Sequence, residues 1–332
     1  MLSIVGVTAW YIQAMIKWRY LKKFWNFVPL FVKNLLPRAL INDVLRAVSR
    51  EYFITQKFVS SYPLVSGDTF KSVCDLHFEF NTDSNVILAA LDKWPRNEVV
   101  KIYLEPGSNY VELFSKISKS DTSVRMCFIY SNGDNSLTDH EIEKLESKAK
   151  FFSINSKSKV IYNIPLGIDN LRECRYGNII NYTNSDVTYF DSKTPKTIMV
   201  LINFREETNL KYRLDAKLIA QNYDFVSVRN RVDFETNIEN LKSSYFVLSP
   251  AGNGIDCFRN YEAMYLGSVP VVQENDYLPF MKDLPILKVG NFQEFLSLTE
   301  TNKIEIYNRF KGKTYPKLHF KYWQKYIDDS VT

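Results

Sequence analysis

Two doubly wound α/β domains of parallel strands, facing each other across a cleft, are the architecture this 332-residue chain predicts. Three observations lead there. Short apolar runs alternate with helical stretches in units of roughly 30 residues, the spacing of parallel strands joined by right-handed crossovers. The alternation runs twice, on either side of a polar segment at 171–197 that lacks periodicity. Finally, the length exceeds what one domain of ~100–200 residues needs.

In the first half, apolar runs at 64–65, 99–104, 126–130 and 160–164 read as strands. Helical patterns lie at 110–118 and 138–150, and a further helix follows Asp68 over 69–76. Thr138 stands three residues before Glu141, the capping-box spacing that opens a helix. Segment 171–197, rich in Asn, Ser and Thr, reads as a connection, and it carries one glycosylation sequon at Asn181. The second half restarts with strands at 197–204, 225–228, 245–249 and 269–272, and helices at 210–221, 234–243 and 256–266. The boundaries drawn from this are an extension at 1–50, an N-terminal domain at 51–190, a C-terminal domain at 191–315, and a final helix at 316–332 packing back on the N-terminal domain.

Composition narrows the function classes. Forty-two Lys and Arg against 37 Asp and Glu give a net charge of +5, without a compact basic patch in the globular part, so no nucleic-acid partner is expected. The four cysteines (Cys74, Cys127, Cys174, Cys257) form no C-x-x-C pair, and three scattered histidines complete no metal-ligand set. Neither a G-x-x-x-x-G-K-[ST] loop nor a G-x-G-x-x-G turn occurs, because Cys257 stands where the last glycine of the latter would be. The first acidic residue is Asp43, whereas Lys17, Arg19, Lys22, Lys23, Lys33 and Arg38 precede it among Trp10, Trp18 and Trp25. Lys17 ends the apolar run too early for a spanning helix of about 20 residues. Two readings follow: helices lying in an anionic membrane surface through residues 1–40, or helices packing on the protein itself.

The chemistry concentrates at 245–273. An apolar run leads into Ser249-Pro250, then Gly252-Asn253-Gly254, with Asp256 at an N-cap position and Gly267 at a C′ position. A helix that starts after a glycine turn offers free N–H groups and a positive dipole end to a phosphate. Arg259 and Glu262, three residues apart, share one helix face. A guanidinium can clamp a diphosphate and a carboxylate can accept two ribose hydroxyls. Residue chemistry alone leaves two readings, a nucleotide-diphosphate site or a structural turn.

The stretch SPAGNGIDCFRNYEAMYLGSVPVV at 249–272 resembles the donor-site signature of exostosin-like glycosyltransferases, a group that includes ribitol xylosyltransferase relatives and bacterial polysaccharide enzymes. A weaker likeness extends to 66–75, 129–136, 160–170 and 203–213. Ala251 and Phe258 depart from the pattern, where relatives often carry a cation and a histidine. The resemblance implies a GT-B fold of two Rossmann-like domains, with the nucleotide-sugar, a UDP-sugar, in the C-terminal half and the acceptor in the N-terminal half. It implies that Glu262 holds the ribose, and that Arg259 with the turn Gly252, Asn253 and Gly254 holds the diphosphate. Ser249, Pro250 and Asp256 complete the signature. Arg205 and Arg213 follow the first strand of the second half, the ligand-binding end of such sheets, so each is a phosphate candidate or a solvated charge. Arg229, after the next strand, is a base-pocket candidate with the same alternative.

Nowhere in the chain are two aspartates separated by a single intervening residue, so the Asp-x-Asp metal-diphosphate motif is missing. A metal-independent site without cofactor is expected, with arginines and a helix N-terminus stabilising the leaving diphosphate. Inverting transfer also needs a base. Asp68 and Asp134, each after a strand, are the two candidates; Asp68 could instead cap a helix and Asp134 a turn. Asp75, His77 and Glu105 are weaker ones. The acceptor class is a glycan or lipid-linked glycan of a cell surface, and the expected location is the cytoplasmic face of a bacterial inner membrane. A Golgi-type lumenal or viral enzyme is the alternative, as is a non-catalytic nucleotide- or glycan-binding protein.

Overall fold

The computed structural model describes residues 60–96, 98–170, 186–229 and 232–331. Residues 60–332 form one compact unit. The membrane expectation at 1–40, Cys174 and the Asn181 sequon all lie outside the described residues.

The first half runs α1 (Gly67–Lys71), β1 (Leu76–Phe78), α2 (Ser84–Leu91), β2 (Val99–Leu104), α3 (Tyr110–Lys119), β3 (Arg125–Tyr130), α4 (Asp139–Ile142), β4 (Ala149–Ser153) and β5 (Tyr162–Asn163). The strands form a parallel sheet in the order β1-β2-β3-β4-β5. Strands β2 and β3 are near-continuous apolar runs because both of their faces are covered. The capping box forms as expected, Thr138 Oγ1 accepting from the Glu141 N–H while Glu141 accepts from the Thr138 N–H. The helix it opens ends at Ile142, however, and the predicted helix at 138–150 runs into a strand. Phe151 and Phe152 win that segment for the sheet, Phe151 stacking on Phe128 of β3 at 5.4 Å between ring centroids. Helix α1 is also shorter than expected, and Ser66, not Asp68, caps it.

The double winding expected for this half does not occur. Strands that follow one another in sequence order put every right-handed crossover on the same face. Accordingly α2 bonds to α3 through Ser84 and Glu112, and α3 to the segment of α4 through Tyr110 and Glu141. Phe114 of α3 packs edge-on against Phe128 and Phe151 on that face.

The second half runs β6 (Tyr189–Phe190), β7 (Ile198–Ile202), α5 (Leu210–Ala220), β8 (Val226–Val228), α6 (Phe234–Ser243), β9 (Ser244–Leu248), α7 (Phe258–Tyr265), β10 (Val269–Gln273), β11 (Leu287–Val289), α8 (Phe292–Leu296), α9 (Glu300–Asn308), β12 (Lys313–Thr314) and α10 (Phe320–Val331). Its main sheet is parallel in the order β11-β10-β9-β7-β8. Here the winding is double: the chain steps from β7 to β8, then returns past β7 to build β9, β10 and β11. The reversal falls between β7 and β9, so the loops leaving these strands part and open a crevice at the carboxyl edge. Gly267 ends α7 with φ +76°, the left-handed C′ geometry its position foretold.

Helix α10 closes the face that the first half's winding leaves open. Its buried Phe320, Trp323 and Ile327 share one side. Tyr326 packs edge-on against Phe152 of β4, and Asp328 pairs with Lys101 of β2. The segment also joins the halves, since the Tyr265 hydroxyl donates to the Leu318 carbonyl at 2.6 Å and accepts from the Val65 N–H at 3.0 Å.

Candidate functional site

The crevice between β7 and β9 is the rear of a cleft of about 380 Å³. The second half lines it with Asn203 and Thr208 after β7, the Gly252–Gly254 turn after β9, and Asp256, Cys257, Phe258, Arg259 and Glu262 at the start of α7. Arg213 of α5 and Asn237 of α6 complete that wall, and Asp134 and Leu166 face it from the first half.

The turn is shaped by close approach. The Gly252 N–H donates to the Gly254 carbonyl at 3.0 Å, folding the loop on itself. A Cβ on Gly254 would stand 2.5 Å from Asn155 Nδ2 and 2.8 Å from the Asp134 carbonyl oxygen; one on Gly252 would stand 2.7 Å from Arg213 Nη2. At Gly254 the backbone oxygen leaves room only for glycine, whereas at Gly252 a Cβ would have to displace the Arg213 guanidinium.

Asp256 does not cap α7. The helix starts at Phe258 with Cys257 as its cap residue, which makes no side-chain cap bond. Instead the buried Asp256 carboxylate accepts four hydrogen bonds. They come from the Leu166 N–H (2.9 Å), the Cys257 N–H (3.0 Å), Asn260 Nδ2 (3.0 Å) and the Tyr261 hydroxyl (2.6 Å). Burial pushes its pKa up and these four donors pull against it. Asp256 therefore fixes the start of α7 against the first half.

The two cleft arginines differ in employment. Arg213 is buried and braces the loops: Nε donates to the Ala251 carbonyl and Nη1 to the Arg205 carbonyl, both at 3.1 Å. Arg259 makes one long contact, Nη1 to Ser249 Oγ at 3.4 Å, and is the freer cation. Both guanidiniums lie over the Phe204 ring, at 5.8 and 5.2 Å, so one aromatic ring supports two positive charges. Burial, with Arg213 adding to it against the pull of Cys257 and Glu262, lowers Arg259 to about 10, which leaves it charged at neutral pH.

Glu262 is 9% exposed. Its carboxyl makes no hydrogen bond among the described residues, and burial pushes it up to about 7, Arg259 pulling down and Asp169 adding to the rise. A carboxyl so placed accepts ligand hydroxyls without surrendering an existing bond.

The structure thus brings together Ser249, Pro250, Gly252, Asn253, Gly254, Asp256, Arg259, Glu262, Arg213 and Asp134. Asp134 reaches across the cleft to accept from Asn253 Nδ2 at 3.1 Å. Asp68 lies apart, fully buried in α1, its N–H donating to Asn170 Oδ1 at 2.8 Å. Arg205 and Arg229 are exposed and do not line the cleft. Residue patterns missed Asn203, Asn237 and Asn155. The first follows β7 directly and is legible once the switch point is known; it donates to Asn237 Oδ1 at 3.0 Å. Nothing in the linear pattern marks the other two.

The family model described as the RXYLT1 C-terminal domain matches residues 188–280. That segment contains β6 through β10 and every second-half residue of the cleft. No curated protein sequence matches significantly. Among solved structures, the chain is similar to the pneumococcal O-GlcNAc transferase GtfA in complex with UDP and GlcNAc, at 11% identity and a TM-score of 0.36. It is also similar to the GtfA/B complex, at 11% identity and 0.37. Each likeness covers 74% of this chain and 59% of the solved one, so the chain spans about three-fifths of their length.

Proposed function

We propose that the chain is an inverting, metal-independent glycosyltransferase of GT-B arrangement, moving a sugar from a UDP-sugar to a glycan or glycolipid acceptor in cell-surface polysaccharide synthesis. The observation behind this is the convergence of Arg259, Glu262 and the Gly252–Gly254 turn at the switch-point cleft, within the segment that the RXYLT1 C-terminal domain model matches. In this reading the diphosphate lies on the turn and the first-turn N–H groups of α7, with Arg259 neutralising it and Arg213 holding the turn in shape. Glu262 accepts the two ribose hydroxyls. Asp134 is favoured over Asp68 as base because it lines the cleft. The acceptor oxygen attacks the anomeric carbon as its proton passes to Asp134. The bond from that carbon to the phosphate oxygen breaks, and its electron pair leaves on the diphosphate, where the arginines and helix end stabilise the charge. Association with an anionic membrane through residues 1–40 belongs to the same reading.

A thermal-shift screen against UDP, GDP, CMP and ADP, with and without EDTA, tests it. A nucleotide at 100 times its dissociation constant adds about 2.7 kcal/mol. A shift by UDP that EDTA leaves unchanged is expected. No shift with any nucleotide overturns the reading, and a shift abolished by EDTA overturns its metal independence.

A further inference from the structure

Asn155 follows β4 and adopts φ +56°, a left-handed conformation that non-glycine residues seldom take. Its side chain is nearly buried, at 8% exposed, and is spent on two loops at once. Nδ2 donates to the carbonyl of Asp134 at 3.0 Å, and Oδ1 accepts from the N–H of Asp256 at 2.7 Å. One amide therefore joins the loop of the base candidate to the residue that fixes the start of the donor helix. Gly254 is packed against Asn155 Nδ2 and the Asp134 carbonyl, so the donor turn, Asn155 and the Asp134 loop form one close-fitted set.

Resting on the function proposed above, we infer that Asn155 is a positioning residue for the transfer: it sets the height of Asp134 over the diphosphate turn, so that a hydroxyl held by Asp134 meets the anomeric carbon. Asp134 is exposed, and among the described residues its carboxylate is hydrogen-bonded by Asn253, an exposed loop residue. The Asn132 side chain ties the start of the loop to Tyr103 and Asn170, and Asn155 anchors the main chain at Asp134 itself. Reacting groups displaced by about 1 Å lose on the order of 100-fold in rate.

The test is a double-mutant cycle in the full chain. Asn155→Gly accepts the left-handed backbone and removes both side-chain bonds, which separates the amide's role from backbone strain. Asn155→Asp keeps an acceptor for the Asp256 N–H and opposes the Asp134 carbonyl with a charge. Asp134→Asn removes the base. The readouts are UDP affinity, and the rate of UDP release from whichever UDP-sugar of a panel the wild-type chain turns over fastest. Asn155→Asp should bind UDP within about threefold of wild type, and both Asn155 variants should turn over at least tenfold more slowly. On the Asp134→Asn background Asn155→Gly should cost nothing further, since the two act as one unit. Full additivity, parallel loss of UDP affinity and rate in Asn155→Asp, or unchanged turnover in Asn155→Gly each overturns the inference. A wild-type chain that binds no UDP overturns the proposed function itself, an outcome distinct from these.

Discussion

Replacing Glu262 with Gln tests the electrostatics of the donor cleft in both the free and the bound protein. Burial raises the Glu262 pKa from its ordinary 4.5 to about 7. Between those values the folded chain keeps a proton that the unfolded chain has released, so stability falls as pH rises through that window. At 1.36 kcal/mol per pKa unit the full loss above pH 7 is about 3 kcal/mol, an upper figure for a group still partly open to the cleft. Glutamine has no proton to lose, and Glu262 has no hydrogen bond to forfeit. Urea unfolding should therefore find Glu262→Gln equal to wild type near pH 4.5 and more stable by up to about 3 kcal/mol at pH 8. Ligand affinity should move the opposite way. Ribose hydroxyls favour the carboxylate, so wild-type affinity for a UDP-sugar should rise up to about tenfold per pH unit toward 7 and then level. A UDP-sugar is the right probe because its diphosphate, esterified at both ends, lacks the second phosphate ionisation near pH 6. In Glu262→Gln the pH dependence should vanish, and affinity at pH 8 should fall at least about tenfold, the scale of one hydrogen bond to a charged group. Wild-type affinity that stays flat from pH 5 to 8 would refute the assignment of Glu262 to the ribose.

Three further outcomes follow from the same geometry. Gly254→Ala places a methyl within 2.8 Å of Asn155 and Asp134, and should cost about 1–3 kcal/mol in denaturant unfolding together with a loss of UDP binding. Asp256→Asn turns one of the two acceptor oxygens into a donor facing N–H or O–H groups. It should destabilise by about 2–4 kcal/mol, with the melting temperature as readout. Co-sedimentation of the full chain with vesicles checks the membrane reading. Binding to phosphatidylglycerol-containing vesicles should exceed binding to neutral ones and weaken in salt, at about 1 kcal/mol per cation near the surface; equal binding to both would remove the anionic surface as partner.

What the sequence made legible was local. Strand β2, the Thr138–Glu141 box, the left-handed Gly267 and the run from β7 to β10 all rest on short-range chemistry, and the structure keeps them. Strand β4 was hidden because Ile142, Leu145 and Ala149 keep a helical spacing, and only pairing with β3, far upstream in the chain, makes that segment extended. Strand order is equally nonlocal, so two halves with the same alternation of elements wind differently. In the site, the Gly252–Gly254 turn with Arg259 and Glu262 was readable from spacing. That Arg213 braces the turn, and that Arg205 and Arg229 stay out of the cleft, depends on where the helices seat against the sheet. Asn155 left no trace in the pattern because its role is made by two loops distant in sequence, those of Asp134 and Asp256.

The central claim is that the switch-point cleft is a nucleotide-sugar site, and a crystal structure of the full chain with UDP tests it most directly. The account places the diphosphate between the Gly252–Gly254 turn, the first turn of α7 and Arg259, with the ribose hydroxyls on Glu262. UDP bound elsewhere, or bound there with Glu262 and Arg259 turned away from it, would contradict the claim.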